Sequence, residues 1–181
     1  MMPWRFREKR ATQAAARLLV LSGGSMEYLK LMKLLYISDR KALVEMGRPI
    51  TFDRFVAMKH GPVLSQTLNL MKRTATAEYW GRYISPPDQY QLHLLVDDPP
   101  HEKLSRAEEA IVDGVFADYG HYDKYSLRDL TLTFPEWHDP GDSSQTIAVH
   151  ELLIAQGLTE DDASAIEAAL EDDAALDALL A

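Results

Sequence analysis

The side chains best suited to chemistry in this 181-residue chain are its six histidines, because imidazole binds metals and transfers protons near neutral pH. They are His60, His93, His101, His121, His138 and His150. No two of them lie three or four residues apart, the spacing that places two metal ligands on one helix face. A histidine site assembled from distant segments is the enzymatic alternative that this pattern leaves open.

The other short signatures of catalysis and cofactor binding are also missing from the sequence. It contains no GxxxxGK[ST] or strand-linked GxGxxG phosphate loop, no GxSxG nucleophile elbow and no HExxH zinc motif. It has no cysteine, which excludes disulfides, thiolate metal sites and a cysteine nucleophile. We therefore expect no enzyme activity, no catalytic residue, no metal and no cofactor.

The first ten residues interleave aromatic and basic side chains, as an arm that contacts nucleic-acid phosphates would. These are Trp4, Arg5, Phe6, Arg7, Lys9 and Arg10. A nucleic-acid-binding regulator that uses this arm is the alternative function. The simpler interpretation is a solvated helix start with both aromatic rings packed down, and the formal net charge of -9 disfavours non-specific binding to nucleic acid.

Charge is divided unevenly along the chain. Residues 1–73 hold 14 Lys and Arg against 5 Asp and Glu, whereas residues 74–181 hold 5 against 23. Such a division is typical either of basic helices that dock on acidic ones or of two surfaces that meet different partners. Docking within the chain is the simpler interpretation.

The length predicts a single main domain that needs no metal or disulfide to fold. No stretch approaches the ~20 apolar residues that cross a bilayer, and no signal peptide is evident at the start. We expect a cytoplasmic protein without membrane contact. The fold class expected is mainly α (α+β), a compact helical domain with a small β-hairpin near residues 82–96.

An apolar stripe from Leu29 to Met46 predicts a long half-buried helix that ends at Gly47. Asp53 then predicts the N-cap of a helix carrying Phe55, Val56 and Met58 inward. Gly61 and Pro62 would break that helix and start another over residues 63–73. This corner either packs inside the core or contacts a partner.

The second half of the chain has clearer helix boundaries. Ser105 with Glu108 forms a capping-box pattern, and Ser126 with Asp129 indicates another helix start. Trp137 should tie the following loop to the core. Thr159 and Asp162 open a terminal helix with eight acids and no basic residue after Leu158. We therefore divide the chain into a domain at 1–157 and an acidic helix or tail at 158–181.

Three motifs in order resemble the Panacea domain of SocA-like antitoxins, a family that includes phage-associated GepA-like proteins. They are the KLMKLLY at 30–36, the GRPI connector at 47–50 and the KHGPV at 59–63, with a later tryptophan segment at 127–137. The resemblance covers roughly residues 10–155. It departs from the family pattern at His60, where an aromatic residue is frequent, and at Leu132, where a histidine is common.

The resemblance implies a mostly helical antitoxin of a toxin–antitoxin system, which neutralises a cognate toxin encoded beside it by direct protein–protein binding. A role as an adaptor that delivers the toxin to a cellular protease is also implied, whereas nucleic acid is not expected as a partner. The acidic terminal helix is the candidate for partner specificity. The residues expected to bind the partner are Lys33, Tyr36, Lys59, His60, Gly61, Pro62, Trp137, Glu171, Asp172 and Asp173.

Overall fold

A computed structural model describes residues 4–73 and 77–181 of the chain. In these residues the fold is mainly helical, as the sequence predicts, and it includes two small sheets. The helices are α1 (Glu8–Leu21), α2 (Tyr28–Met46), α3 (Ser65–Lys72), α4 (Glu78–Tyr83), α5 (Arg106–Tyr119), α6 (Lys124–Leu132), α7 (Val149–Ala155) and α8 (Glu160–Leu180). The strands are β1 (Ser25–Glu27), β2 (Phe55–Met58), β3 (Gly61–Leu64), β4 (Gln91–His93) and β5 (Gln145–Thr146).

Helix α2 is the centre of the core and packs against α1, α5, α6, α7 and β3. Its apolar residues, among them Leu31, Leu34 and Leu35, are buried. Gly47 ends the helix in the left-handed conformation, with φ of 73°, as expected for a glycine C-cap. The helix is buried on more sides than the amphipathic pattern predicts, because Lys33 and Asp39 are also inside the protein.

The predicted helix over Phe55, Val56 and Met58 is wrong. These residues form β2, which pairs antiparallel with β3 and with β5 in a sheet of order β3-β2-β5. Pro62 is tolerated because β3 is an edge strand, where a missing backbone N–H leaves no ladder bond unmade. The corner is therefore a β-hairpin, and the helix that follows begins at Ser65 rather than at Val63.

Asp53 does cap a helix, but not the one predicted. Its carboxylate accepts hydrogen bonds from the backbone N–H groups of Gln66 at 3.0 Å and Thr67 at 2.7 Å, in the first turn of α3. The residue at the N-cap position of α3, Leu64, has no side chain that could accept these bonds. Asp53 thus replaces the missing cap from across the β2–β3 hairpin.

The chain reverses near residues 82–96, where Ile84 forms an antiparallel bridge with Leu94. The principal partner of β4 is β1, a strand that the sequence did not predict. In the second half, the capping box of Ser105 and Glu108 is confirmed. Helix α6 is capped by Asp123 rather than by Ser126, and Thr159 caps α8 as predicted. No helix among the described residues is long and apolar enough to cross a membrane.

The uneven charge is used largely within the fold. Ion pairs join the basic first part of the chain to the acidic second part at Arg7–Asp177, Arg10–Glu108, Arg17–Asp113, Arg40–Glu136 and Lys59–Asp142. The basic and acidic parts of the chain therefore contact each other through these five pairs, while Glu171, Asp172 and Asp173 of α8 stay exposed.

Candidate partner-binding site

The turn of the β2–β3 hairpin brings four of the predicted partner-binding residues together. Lys59 and His60 are exposed at its tip, whereas Gly61 and Pro62 are buried. Gly61 has φ of 103°, and a Cβ at this position would lie 2.8 Å from both Lys33 Nζ and Thr131 Oγ1. Glycine is therefore required here by backbone conformation and by space.

Lys33 lies beneath this turn and is fully buried. Its ammonium donates a hydrogen bond to the carbonyl oxygen of Pro62 at 2.9 Å. Burial, and to a smaller extent the nearby Arg128 guanidinium, lowers the pKa of Lys33 to about 7. Lys33 thus supports the hairpin from inside and is covered by Gly61.

A half-open groove of about 370 Å³ lies beside the hairpin. We call it the hairpin groove. It is lined by Glu27, Tyr28, Leu29, Met32, Lys33, Met58, Lys59, His60, Gly61, Val63, Leu68, Lys72, Tyr90, Lys124, Tyr125 and Arg128. Its floor is mostly apolar, and its rim carries four cations from three segments against the one carboxylate of Glu27.

The rim cations differ in how strongly they are engaged. Lys59 pairs with Asp142 at 3.1 Å, Arg128 with Asp129 at 2.9 Å, and Lys124 with Glu27. Lys72, at the last turn of α3, has no ion-pair partner in the part of the chain that the structure describes. An exposed pair such as Lys59–Asp142 is weak, at about 0 to 1 kcal/mol, so an incoming carboxylate can exchange with it.

Two tyrosines at the rim are unusually exposed. Tyr90 and Tyr125 are 67% and 56% accessible, and Lys124 Nζ lies 5.7 Å and 5.2 Å from the centroids of their rings. Tyr90 also has φ of 68°, a left-handed conformation that costs energy for a non-glycine residue. Exposed tyrosines beside cations are typical of protein-binding surfaces.

Tyr36 does not lie on this surface. It is buried in the core, where its hydroxyl donates to Glu136 Oε1 at 2.9 Å. Arg40 donates to the same carboxylate from Nε at 2.6 Å, and its guanidinium lies 4.1 Å from the centroid of the Phe134 ring. Burial, followed by the Glu136 charge, raises the pKa of Tyr36. Tyr36 therefore cannot touch a partner in this conformation and instead ties α2 to the segment after α6.

Trp137 also acts as a brace. Its indole Nε1 donates to the carbonyl oxygen of Met58 at 2.9 Å, which fixes the loop after α6 to the outer end of β2. The ring is partly buried against the core, as the sequence analysis expects. Trp137 therefore fixes the later segment to the hairpin, and Tyr36 fixes the same segment to α2.

The predicted acidic contacts lie elsewhere. Glu171, Asp172 and Asp173 are exposed on α8, and no α8 residue is among the described residues that line the hairpin groove. Helix α8 buries Ala163 and Leu170 and packs mainly on α7. His150 of α7 contacts the carboxylates of Glu167 at 2.5 Å and Glu160 at 2.7 Å.

The basic arm is largely occupied by the protein itself. Arg7 pairs with Asp177, and Arg10 pairs with Glu108 and donates to the carbonyl oxygen of Ile50 at 2.8 Å. Trp4 packs edge-on against Phe52. This arrangement disfavours a phosphate-binding arm. The structure also shows no cluster of three or more metal-ligating side chains within residues 4–73 and 77–181.

Sequence reasoning missed the contribution of the end of α3, of α6 and of the loop before β4 to the groove. Lys72, Tyr90, Lys124, Tyr125 and Arg128 come from segments that are distant in sequence, so no local pattern marks them. The KYSLR run at the start of α6 could have suggested Lys124, Tyr125 and Arg128, but not Lys72 or Tyr90.

The described residues thus form a mainly helical domain in which Trp137 and Lys33 hold the β2–β3 hairpin in place. The family model described as "Antitoxin SocA-like, Panacea domain" matches residues 31–138, more than half of the chain. The chain therefore belongs to the family of SocA-like antitoxins with a Panacea domain. The matched part runs from α2 through α6 to the segment braced by Trp137, and leaves α1, α7 and α8 outside. No curated protein and no solved structure matches the chain.

Proposed function

We propose that this protein is the antitoxin of a toxin–antitoxin pair and neutralises its cognate toxin by direct binding. Membership of the SocA-like antitoxin family supports this function. Neutralisation of this kind requires no chemistry, only an interface of about 800 Å² on each partner placed over the active surface of the toxin.

The observation that carries the proposal is the unpaired face of α8. Leu176, Leu179 and Leu180 are 54%, 83% and 78% exposed, and Asp172 and Asp173 precede them by one helical turn. Residues spaced by three and four lie on one helix face. We call these five residues the acidic–leucine stripe. It has the pattern of a helix that inserts into a groove of a partner.

The charge of α8 indicates the kind of surface that it would meet. The helix has eight acids and no basic residue, so a toxin surface with an apolar groove and a basic rim would be complementary. Basic grooves of this type bind RNA, nucleotides or phosphate, and a helix that fills one would exclude the natural ligand of the toxin. Because α8 lies outside the matched part of the family, it is suited to select one toxin among many.

The exposed tip of the β2–β3 hairpin, with Lys59 and His60, is a second candidate contact. The buried residues of the same motif, Lys33, Gly61 and Pro62, would act by shaping this tip rather than by touching the toxin.

The proposal is tested by binding between the purified full chain and the purified product of the adjacent reading frame. The variant Glu171→Gln/Asp172→Asn/Asp173→Asn removes three exposed charges of α8. The matched control Asp97→Asn/Asp98→Asn/Glu102→Gln removes three exposed charges elsewhere. We expect nanomolar binding that weakens at least tenfold in the first variant and stays unchanged in the control. Absence of a complex with the wild-type chain would refute the proposed function, and equal binding by all three proteins would refute the role of α8.

A further inference from the structure

The protein carries two surfaces of complementary chemistry. The acidic–leucine stripe of α8 is an apolar face beside carboxylates, and the hairpin groove is an apolar floor beside cations. Besides the buried Lys33, four cations lie at the rim of the groove, namely Lys59, Lys72, Lys124 and Arg128. The stripe carries two acids, Asp172 and Asp173.

The stripe is directed away from the body of its own chain. The opposite face of α8 carries Ala174 and Ala178, which line a cleft together with Trp4, Arg5 and Arg7 of the N-terminal arm. Asp177, at the edge of that face, pairs with Arg7. The end of α8 is thus held against the arm, with its leucines towards solvent, and α8 does not line the hairpin groove of the same chain.

We propose that the hairpin groove binds the acidic–leucine stripe of a second copy of this chain, so that the protein associates with itself head to tail. Leucines at i, i+3 and i+4 are the anchors expected for a helix in an apolar groove. A volume of about 370 Å³ accepts two or three leucine side chains, and Tyr90 and Tyr125 are placed at the rim to cover them. The two carboxylates of the stripe, those of Asp172 and Asp173, pair with Lys72 and with the exposed Lys59.

This interface is heterologous, because the groove of one copy meets the helix of the next. It yields chains or rings rather than a closed two-fold dimer. The inference does not depend on the toxin. Under the proposed function it adds a regulatory consequence, since a toxin that takes α8 must displace the neighbouring copy.

The test is sedimentation velocity on the full chain from about 1 to 500 μM in low and high salt. We expect reversible, concentration-dependent association that weakens with salt, as for any interface steered by exposed charges. The groove variant Lys72→Glu/Tyr125→Ala and the stripe variant Leu176→Ser/Leu180→Ser should each weaken association more than tenfold. All four residues are exposed, so these variants should fold. The control Leu95→Ser/Lys103→Glu, another exposed leucine and lysine pair, should associate like the wild type.

Mixing the two variants provides the decisive observation. The stripe variant retains an intact groove and the groove variant an intact stripe, so the mixture should recover association up to a 1:1 heterodimer and no further. A chain that stays monomeric at 500 μM in low salt overturns the proposal. So does association that survives in both variants, that is lost equally in the control, or that fails to reappear in the mixture.

Discussion

The ammonium nitrogen of Lys33 lies 2.9 Å from the carbonyl oxygen of Pro62, directly beneath the turn of the β2–β3 hairpin. This pair joins the two most recognisable motifs of the chain, the KLMKLLY helix and the KHGPV turn. Among the described residues, no carboxylate pairs with Lys33, so the charge is held by a carbonyl dipole alone. The protonation of the buried Lys33 should therefore make the unfolding free energy of the protein depend on pH.

The first prediction concerns Lys33→Met and pH. The pKa of Lys33 is lowered from 10.5 to about 7 by burial, so between these values the unfolded chain binds a proton that the folded chain has released. Stability contributed by this site therefore rises as pH increases from 7 towards 10.5, by up to about 1.4 kcal/mol per pH unit. The unfolding free energy of the wild type minus that of Lys33→Met, measured by urea titration, should increase from pH 7 to pH 10.5. The exposed control Lys103→Met should show a constant difference, and a constant difference for Lys33→Met would contradict the prediction.

The second prediction concerns Gly61→Ala. The new methyl group would meet two buried polar atoms at 2.8 Å and would sit on a backbone with φ of 103°. We expect a loss of roughly 2 to 4 kcal/mol, combining left-handed strain with overpacking. Gly157→Ala is the matched control, because its φ is 91° but nothing lies within 4 Å of the added carbon. The control should lose only about 1 kcal/mol in chemical denaturation, and equal losses would show that the contact with Lys33 is unimportant.

The third prediction concerns the carboxylate of Glu136, which is buried with Tyr36 and Arg40. Glu136→Gln removes the charge that these two donors satisfy and leaves a partly buried guanidinium without its counter-ion. We expect a loss of about 3 kcal/mol in unfolding free energy. The control Glu45→Gln breaks an exposed pair with Lys41 on the same helix and should cost less than about 0.5 kcal/mol. Similar effects of the two substitutions would argue against a structural role for residues 133–137, the segment that contains Glu136.

The fourth prediction concerns the contact between α7 and α8. The pKa of His150 is raised above 6.5, first by its hydrogen bond with Glu167 and then by that with Glu160. Because the folded value is the higher one, the protonated imidazole stabilises this contact fully below pH 6.5, and the contribution is lost as pH rises through the folded pKa. An NMR titration of the His150 ring should give a midpoint above 6.5 that returns towards 6.5 in Glu160→Gln/Glu167→Gln. A midpoint at or below 6.5 in the wild type would be the contrary result.

Long periodic segments and local caps were predictable from the sequence. Three correct predictions rest on residues within one or two helical turns of each other. They are α2 with its end at Gly47, the capping box at Ser105 and the start of α8 at Thr159. The error at Phe55–Met58 has a physical cause. Four apolar residues are too few to separate a strand from a helix, and the cap that suggested a helix, Asp53, serves α3 across the hairpin.

The candidate site was predictable only in part. The turn at Lys59–Pro62 was identified from its motif, but the burial of Lys33 and Tyr36 depends on tertiary packing that places their polar ends against Pro62 and Glu136. Lys124, Tyr125 and Arg128 of α6 reach the groove only because α6 packs on β3 and α2. The division of the chain at residue 157 and the partner contacts on α8 stay predictions.

The measurement that tests the central claim most directly is growth of cells that express the adjacent reading frame, alone and together with this chain. The antitoxin account predicts arrest by the neighbour alone and recovery when this protein is also made. It further predicts that recovery fails with the Glu171→Gln/Asp172→Asn/Asp173→Asn variant at equal protein level. Arrest that this protein does not relieve, or a neighbour that never arrests growth, would contradict the account.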